Sequence, residues 1–211
     1  KVLPNGALCL IMHPCEIPQG NTWAEEIGVA AIKALSPRDF AGVLYYGMGG
    51  DQWLFKLQPV ANKNWMVAQI RNMQNGDMPT FDQMLRMAHQ GLKPLDAALK
   101  HVVLISDGDP SPPPDALLNT IAKDRITIST VAIGTHGPAN QGTMRRMASV
   151  GRGRFYDVQD PAALPQIFLK EATTLRKAAV IEEKFQPRPR TYSEALKGFD
   201  PAQMPALYGY V

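Results

Sequence analysis

Cysteine is scarce in this chain of 211 residues, with only Cys9 and Cys15 present. If both lie on one extended strand, a rise of about 3.3 Å per residue places their Cα atoms roughly 20 Å apart, whereas a disulfide requires less than about 7 Å. We therefore expect two free thiols, which favours a reducing compartment. The chain is long enough to bury a full core without covalent cross-links.

Long apolar runs are also missing. The longest, such as residues 7–12, are far shorter than the roughly 20 residues that a helix needs to span a bilayer. The sequence begins at Lys1 without the pattern of a signal peptide. We therefore predict a soluble segment that does not itself insert into a membrane. We also expect it to be cut from a longer protein, whose other parts can carry a targeting or membrane element.

Charge of one sign does not dominate either. The 22 basic and 19 acidic residues leave a formal charge of only +3, and no stretch interleaves aromatic residues with arginine or lysine. Nucleic-acid binding normally requires a strong basic patch. The composition therefore excludes nucleic acid as a partner.

Common catalytic motifs are absent as well. The cluster Gly47, Gly49 and Gly50 is not a phosphate-binding loop, because no Lys-Ser or Lys-Thr pair follows it. Cys15 lacks the arginine of a phosphatase loop and the flanking glycines of a nucleophile elbow. We predict that the chain is not an enzyme. The alternative is a hydrolase or transferase in which Cys15 is the nucleophile, activated at a helix N-terminus.

Apolar strands alternate with amphipathic helices along most of the chain. This order, with central strands that are apolar throughout, predicts an α/β fold: a doubly wound, mostly parallel six-stranded sheet with helices on both faces. A hairpin over 42–57 supplies one antiparallel edge strand. Strands are predicted at 7–13, 42–48, 52–57, 101–106, 126–133 and 153–158. Helices are predicted from a capping box of Thr22 and Glu25 to Ser36, and at 63–74, 81–91, 115–123, 140–150 and 161–177.

The C-terminal part of the sequence has a different pattern. Four prolines interrupt it from residue 187 onwards, and its helical periodicity is weak. We therefore predict one domain over 1–178, followed by an extension or linker to a further domain over 179–211. In a doubly wound domain, the binding site lies beyond the carboxyl ends of the strands, where the strand order reverses.

Several short motifs stand in an order typical of one family. They are Val-Leu-Ile-Ser-Asp-Gly at 103–108, Ser-Thr-Val-Ala-Ile-Gly at 129–134, and the helix and glycine-rich turn over 144–156. Together they resemble the von Willebrand factor A (vWA) domain over about residues 5–177. The loop at 107–113 and the tail at 198–210 are similar to vWA modules of large bacterial membrane proteins that also carry a glutamine-amidotransferase-like domain.

The resemblance implies a Rossmann-like, non-catalytic module that binds a protein partner or a neighbouring domain of its own chain. It also implies a parent protein anchored in the bacterial cell membrane. The family's metal-ion-dependent adhesion site places Asp-x-Ser-x-Ser after the first strand, Thr in a middle loop and Asp after the fourth strand, a set of oxygen ligands that suits Mg²⁺. Here His13, Cys15 and Ile17 replace the first three ligands, whereas Thr80 and Asp107 match the others.

Three interpretations of this altered site remain open at the level of sequence. In the first, no metal binds and the loops 13–21, 76–82 and 107–114 recognise a partner by shape and charge. In the second, His13 and Cys15 hold Zn²⁺ together with Asp107 or Glu16. In the third, Mg²⁺ or Ca²⁺ binds through Thr80, Asp107, Asp109 and Glu16. The candidate metal ligands are therefore His13, Cys15, Glu16, Thr80, Asp107 and Asp109.

Overall fold

The computed structural model describes residues 5–13, 20–135, 137–158 and 160–177, together with residues 186, 194 and 197. Within these residues a six-stranded sheet lies between two layers of helices. The strands are β1 (Gly6–His13), β2 (Phe40–Gly47), β3 (Gly50–Pro59), β4 (Leu99–Ser106), β5 (Ile126–Ile133) and β6 (Arg152–Val158). The helices are α1 (Gly20–Ala34), α2 (Lys63–Arg71), α3 (Phe81–Leu92), α4 (Asp115–Lys123), α5 (Pro138–Val150) and α6 (Leu164–Lys177), and a 3-10 turn (Pro161–Ala163) precedes the last.

The strand order is β3-β2-β1-β4-β5-β6, and every neighbouring pair is parallel except β2 and β3. This confirms the predicted doubly wound sheet with one antiparallel edge strand. The order reverses between β1 and β4, which lie side by side in the centre of the sheet. Their last residues, His13 and Ser106, are paired in register. The fold thus brings the two predicted site segments together.

The central strands are apolar throughout because both faces of the sheet are covered. Alternate residues of β1 contribute to two separate cores: Leu8 and Leu10 pack under α1, α2 and α6, whereas Cys9 and Ile11 pack under α3, α4 and α5. Cys9 is a free thiol. Complete burial raises the pKa of this thiol far above its ordinary range, so Cys9 is an unreactive core residue.

The edge strand β3 is bulged. Val43 pairs with Phe55 and the next residue, Leu44, pairs with Trp53, which leaves Leu54 as an extra residue in β3. Because side chains alternate along a regular strand, one extra residue reverses the alternation. Trp53 therefore packs on the α3 side of the sheet and Phe55 on the α2 side.

Some predicted boundaries differ from the structure. Helix α1 begins at Gly20, so Thr22 lies inside its first turn and the predicted capping box with Glu25 is wrong. Helix α2 ends at Arg71, earlier than predicted, because the amide of Asn72 bonds back to carbonyls of the last turn. In the described ranges, no helix is both long and apolar enough to cross a membrane. The predicted extension over 179–211 lies almost wholly outside the described residues.

Candidate functional site

The candidate site lies at the carboxyl ends of β1 and β4, where the strand order reverses. His13 ends β1, and Asp107 follows directly after β4. The loop between α2 and α3 contributes Asp77 to the same place, with Oδ1 of Asp77 3.5 Å from Nε2 of His13. Oδ1 of Asp107 lies 3.6 Å from Nδ1 of the same ring. His13 is therefore at the centre of the site.

Backbone hydrogen bonds fix the two loops that surround His13. The amide of Gly76 donates to the carbonyl of Tyr46 at the end of β2 (2.7 Å). The amide of Ser111 donates to the carbonyl of Pro79 (3.0 Å), and the amide of Phe81 donates to the carbonyl of Ser111 (3.1 Å). The loop before α3 and the loop after β4 are thus joined by a short parallel bridge.

Both ring nitrogens of His13 are engaged with protein groups. The side chain is fully buried. Nε2 accepts a hydrogen bond from the amide of Met78 (2.9 Å). Because Nε2 is an acceptor, the ring proton lies on Nδ1, which donates to Oγ of Ser106 (2.9 Å). His13 is therefore a neutral imidazole that connects the end of β1 to two other segments.

Ser106 continues this network towards Asp107. Its Oγ donates to Oδ1 of Asp107 (3.2 Å) and also accepts the amide of Gly108 (3.0 Å). Gly108 adopts φ +87°, a left-handed conformation that favours glycine. A Cβ at this position would lie 2.9 Å from the carbonyl oxygen of Asn140. The tight turn after β4 thus holds Asp107, whose side chain is 1% exposed, against the end of the sheet.

Acidic side chains form the outer part of the site. Asp77 and Asp109 are exposed. One carboxylate oxygen of each and one ring nitrogen of His13 all lie within 4.8 Å of one another. Partial burial, a hydrogen bond with Asp107 and the charge of Asp107 raise the pKa of Asp109 to about 6. The exposed rim of the site is therefore acidic.

Thr80, a candidate metal ligand, makes hydrogen bonds that stabilise the local structure. Its Oγ1 accepts the amide of Asp82 (3.2 Å) as the N-cap of α3, and it donates to the carbonyl of Ser111 (3.3 Å). Thr80 thus stabilises the start of a helix and the bridge between the two loops. Of the other candidate ligands, Cys15 and Glu16 lie outside the described residues.

The structure therefore brings together His13, Asp107 and Asp109 of the candidate set and adds Asp77 to them. Asp77 was not among the six candidate ligands, because nothing in the sequence indicated that the turn at Gly76 bonds to the end of β2. The network through Met78 and Ser106 had no sequence signal at all.

Comparison with known families agrees with this architecture. A profile of the von Willebrand factor type A domain matches residues 33–170, well over half of the chain. The chain belongs to the vWA domain family. Proteins of this family are in general non-enzymatic interaction or adhesion modules, and vWA domains can bind a divalent metal at the adhesion site. No curated protein sequence matches the chain.

Solved structures share the fold of this vWA domain at low identity. The vWA protein of Catenulispora acidiphila is 18% identical (TM-score 0.71), and the match covers 86% of this chain and 44% of that one. BatB of Bacteroides thetaiotaomicron is 12% identical (TM-score 0.67; 82% and 99% covered). Proximal thread matrix protein 1 of the mussel byssus, with a zinc-occupied adhesion motif, is 14% identical (TM-score 0.66; 84% and 49% covered). The chain thus spans less than half of the first of these proteins.

Proposed function

We propose that this vWA domain is a non-catalytic protein-interaction module with a degenerate adhesion site that holds no Mg²⁺. Its binding surface is the carboxyl edge, which we define as the loops 13–21, 76–82 and 107–114. The observation that supports this most is the state of His13, a buried neutral imidazole whose two nitrogens bond to Met78 and Ser106.

The described residues do not fit the family's Mg²⁺ cage. Mg²⁺ requires near-octahedral oxygen ligands, but an imidazole stands where the family has its first aspartate. The hydroxyl of Thr80 caps a helix. The exposed carboxylates of Asp77 and Asp109 are then available to recognise a partner by charge. The prolines at 110 and 112–114 stiffen the last loop, which lowers the entropy lost on binding.

A re-purposed zinc site is the second candidate. It is favoured by the grouping of one imidazole and two carboxylates within 4.8 Å, formed by His13, Asp77 and Asp109. These donor types suit Zn²⁺. Binding through Nε2 would require the lone pair that now accepts the amide of Met78, which is why we place the metal-free site first.

Metal dependence separates these candidates. We expect the melting temperature of the wild type to be the same in EDTA and in millimolar Mg²⁺. The variant His13→Asp/Cys15→Ser/Ile17→Ser restores the family's ligand types. At a hundredfold excess over Kd, Mg²⁺ should stabilise this variant by about 2.7 kcal/mol, or about 5–10 °C in melting temperature.

The same experiment can contradict the proposal. A Mg²⁺-dependent rise in the melting temperature of the wild type would show a working adhesion site. One equivalent of bound zinc, lost in His13→Ala and Asp77→Asn but kept in Asp96→Asn, would establish the second candidate. Asp96 is a matched control because it is an exposed aspartate that precedes β4, at the opposite edge of the sheet.

Partner binding should be independent of metal and should depend on the acidic rim. We expect proteins captured by the chain in EDTA to be lost from the variant Asp77→Lys/Asp109→Lys, because reversing two charges creates repulsion where the partner is complementary. The variant Asp96→Lys should retain them. Capture that fails in EDTA and returns with Mg²⁺ would count against the metal-free surface.

We also propose that the chain is part of a larger bacterial protein, with residues 179–211 leading to a further domain. The resemblance of the loop at 107–113 and the tail at 198–210 to vWA modules beside a glutamine-amidotransferase-like domain supports this. In such a parent, anchored in the cell membrane, the partner of the carboxyl edge is a neighbouring domain or a separate protein.

A further inference from the structure

A second polar cluster lies at the amino ends of β4, β5 and β6, at the opposite edge of the sheet from His13. A cavity of about 310 Å³ opens there. Its lining includes His101 of β4, Thr127 of β5, Arg152 and Arg154 of β6, and Glu171 of α6. None of these residues takes part in the carboxyl edge, so the cavity requires a separate explanation.

Glu171 is the buried centre of this cluster, and its carboxylate is saturated. The side chain is 2% exposed. One oxygen, Oε1, accepts hydrogen bonds from Arg154 (3.1 Å) and from the hydroxyl of Tyr156. The other, Oε2, accepts Oγ of Ser129 (3.2 Å) and lies 2.9 Å from Nε2 of His101. Glu171 therefore orients its neighbours and has no further capacity for a ligand cation.

These contacts keep the carboxyl group of Glu171 ionised. Burial alone would raise its pKa, but the hydrogen bonds from His101, Tyr156 and Arg154 outweigh burial and lower the pKa to about 2. The carboxylate is thus ionised at every physiological pH and balances a single positive charge. The positive charge of Arg152 is not neutralised by Glu171.

The cavity is consequently positive. Among its described lining residues, Arg152 and Arg154 carry two positive charges, and Glu171 is the single carboxylate. Both arginines are exposed residues that line the cavity, so an anion can approach them from solvent. Guanidinium groups bind carboxylates and phosphates through paired hydrogen bonds.

The backbone at the start of β6, where both arginines lie, is irregular. The pairing of β6 with β5 contains a bulge. Arg152 pairs with Ile128 and Phe155 pairs with Thr130, so β6 has one residue more than β5 between these two pairs. Arg152 adopts φ +55°, the left-handed region that non-glycine residues rarely occupy. The amide of Arg154 is held by Oγ of Ser129 (3.0 Å). Unusual backbone geometry of this kind is concentrated at binding sites.

We propose that this cavity is a second binding site of the domain, which takes a small anion with a carboxylate or phosphate group. The volume is at the lower end of the range for small-molecule sites, so the ligand is a small molecule. Arg152 binds the anion directly. Glu171 positions Arg154 for the same purpose. The site is independent of the carboxyl edge and of its metal state.

Two probes test the site: inorganic phosphate and succinate, each compared with sodium chloride of equal ionic strength. At least one should raise the melting temperature of the wild-type chain and shift the amide resonances of Gly153 and Arg154. In Arg152→Gln the Kd should be about tenfold weaker, the change expected when a hydrogen bond to a charged group is lost. A response to phosphate alone or to succinate alone identifies the anion class.

Arg125→Gln is the matched control. Arg125 is also exposed, also has a left-handed backbone (φ +58°) and directly precedes β5 at the same edge of the sheet, but it is not among the lining residues. Its Kd should equal that of the wild type. The proposal would be overturned if both variants bound the anion equally more weakly, or if Arg152→Gln bound it as tightly as the wild type. It would also be overturned if neither anion had a larger effect than sodium chloride. If Arg152→Gln does not fold, the amide shifts of the wild type test the proposal instead. They must occur at Gly153 and not at Gly108.

Discussion

Replacing Glu171 with glutamine is expected to lower the free energy of unfolding at pH 7 by about 2 kcal/mol, because it removes a carboxylate acceptor from a buried network, whereas solvent partly compensates the half-exposed Arg154. The substitution keeps the shape of the side chain but removes the charge that pairs with Arg154. Urea denaturation of both proteins measures the effect. The exposed Glu26→Gln, a matched change on α1, should alter stability by less than about 0.5 kcal/mol.

The same variant should change the pH dependence of stability. The pKa of Glu171 is lowered from an ordinary 4.5 to about 2 in the folded chain, so its contribution is present above pH 4.5 and is lost as the pH falls towards 2. Because solvent screens the half-exposed Arg154, we expect the charge to contribute about 2 kcal/mol. The difference between wild type and Glu171→Gln should therefore shrink between pH 5 and pH 3. A difference that stays constant over this range would show that lost packing, not lost charge, explains the destabilisation.

Gly153→Ala is expected to destabilise the domain by about 3 kcal/mol, as overpacking does when the backbone must move. A Cβ at Gly153 would lie 2.1 Å from the carbonyl oxygen of Ile128 and 2.8 Å from the amide nitrogen of Ser129. These are backbone atoms of the neighbouring strand β5, so relief requires β5 and β6 to separate. Thermal or urea denaturation measures the loss.

Gly142→Ala provides the contrast for this prediction. Gly142 lies within α5, and a Cβ there meets no atom within 4 Å among the described residues. Alanine is the better helix former, so this variant should gain up to about 1 kcal/mol. If both variants lose similar stability, the close approach of β6 to β5 is not the cause.

The general fold could be predicted because its signals are local. Residues 7–13 are apolar in succession, which indicates a strand covered on both faces, and the structure has that strand as β1. The bulge in β3 could not be predicted, because the alternation of Trp53 and Phe55 in sequence indicates a regular strand. Only pairing with β2 sends these two side chains to opposite faces.

The candidate site could be located from the sequence but not described. His13 ends the predicted strand 7–13 and Asp107 follows the predicted strand 101–106, and the resemblance to the vWA adhesion site implied that the ends of these two strands meet. The hydrogen bond from Met78 to His13 joins residues 65 positions apart and depends on how the loop before α3 is fixed. No local pattern encodes that contact.

The sequence contains one signal that Glu171 is buried. Glu171 follows Phe168 by three residues, a spacing that places both on the same side of a helix, and Phe168 is fully buried in the core. A carboxylate on the inward side of an amphipathic helix requires buried partners. Its partners, His101 and Tyr156, could be identified only from the packing of α6 on the sheet.

The backbone bridge between Thr80 and Ser111 has a consequence for kinetics. The two loops that it joins cannot rearrange separately, because each bonds to the other through the main chain. A partner that docks on this part of the carboxyl edge meets a preformed surface. Association should then proceed at the rates of rigid docking, about 10⁵–10⁷ M⁻¹s⁻¹, and differences in affinity between variants of this surface should arise mainly from the rate of dissociation.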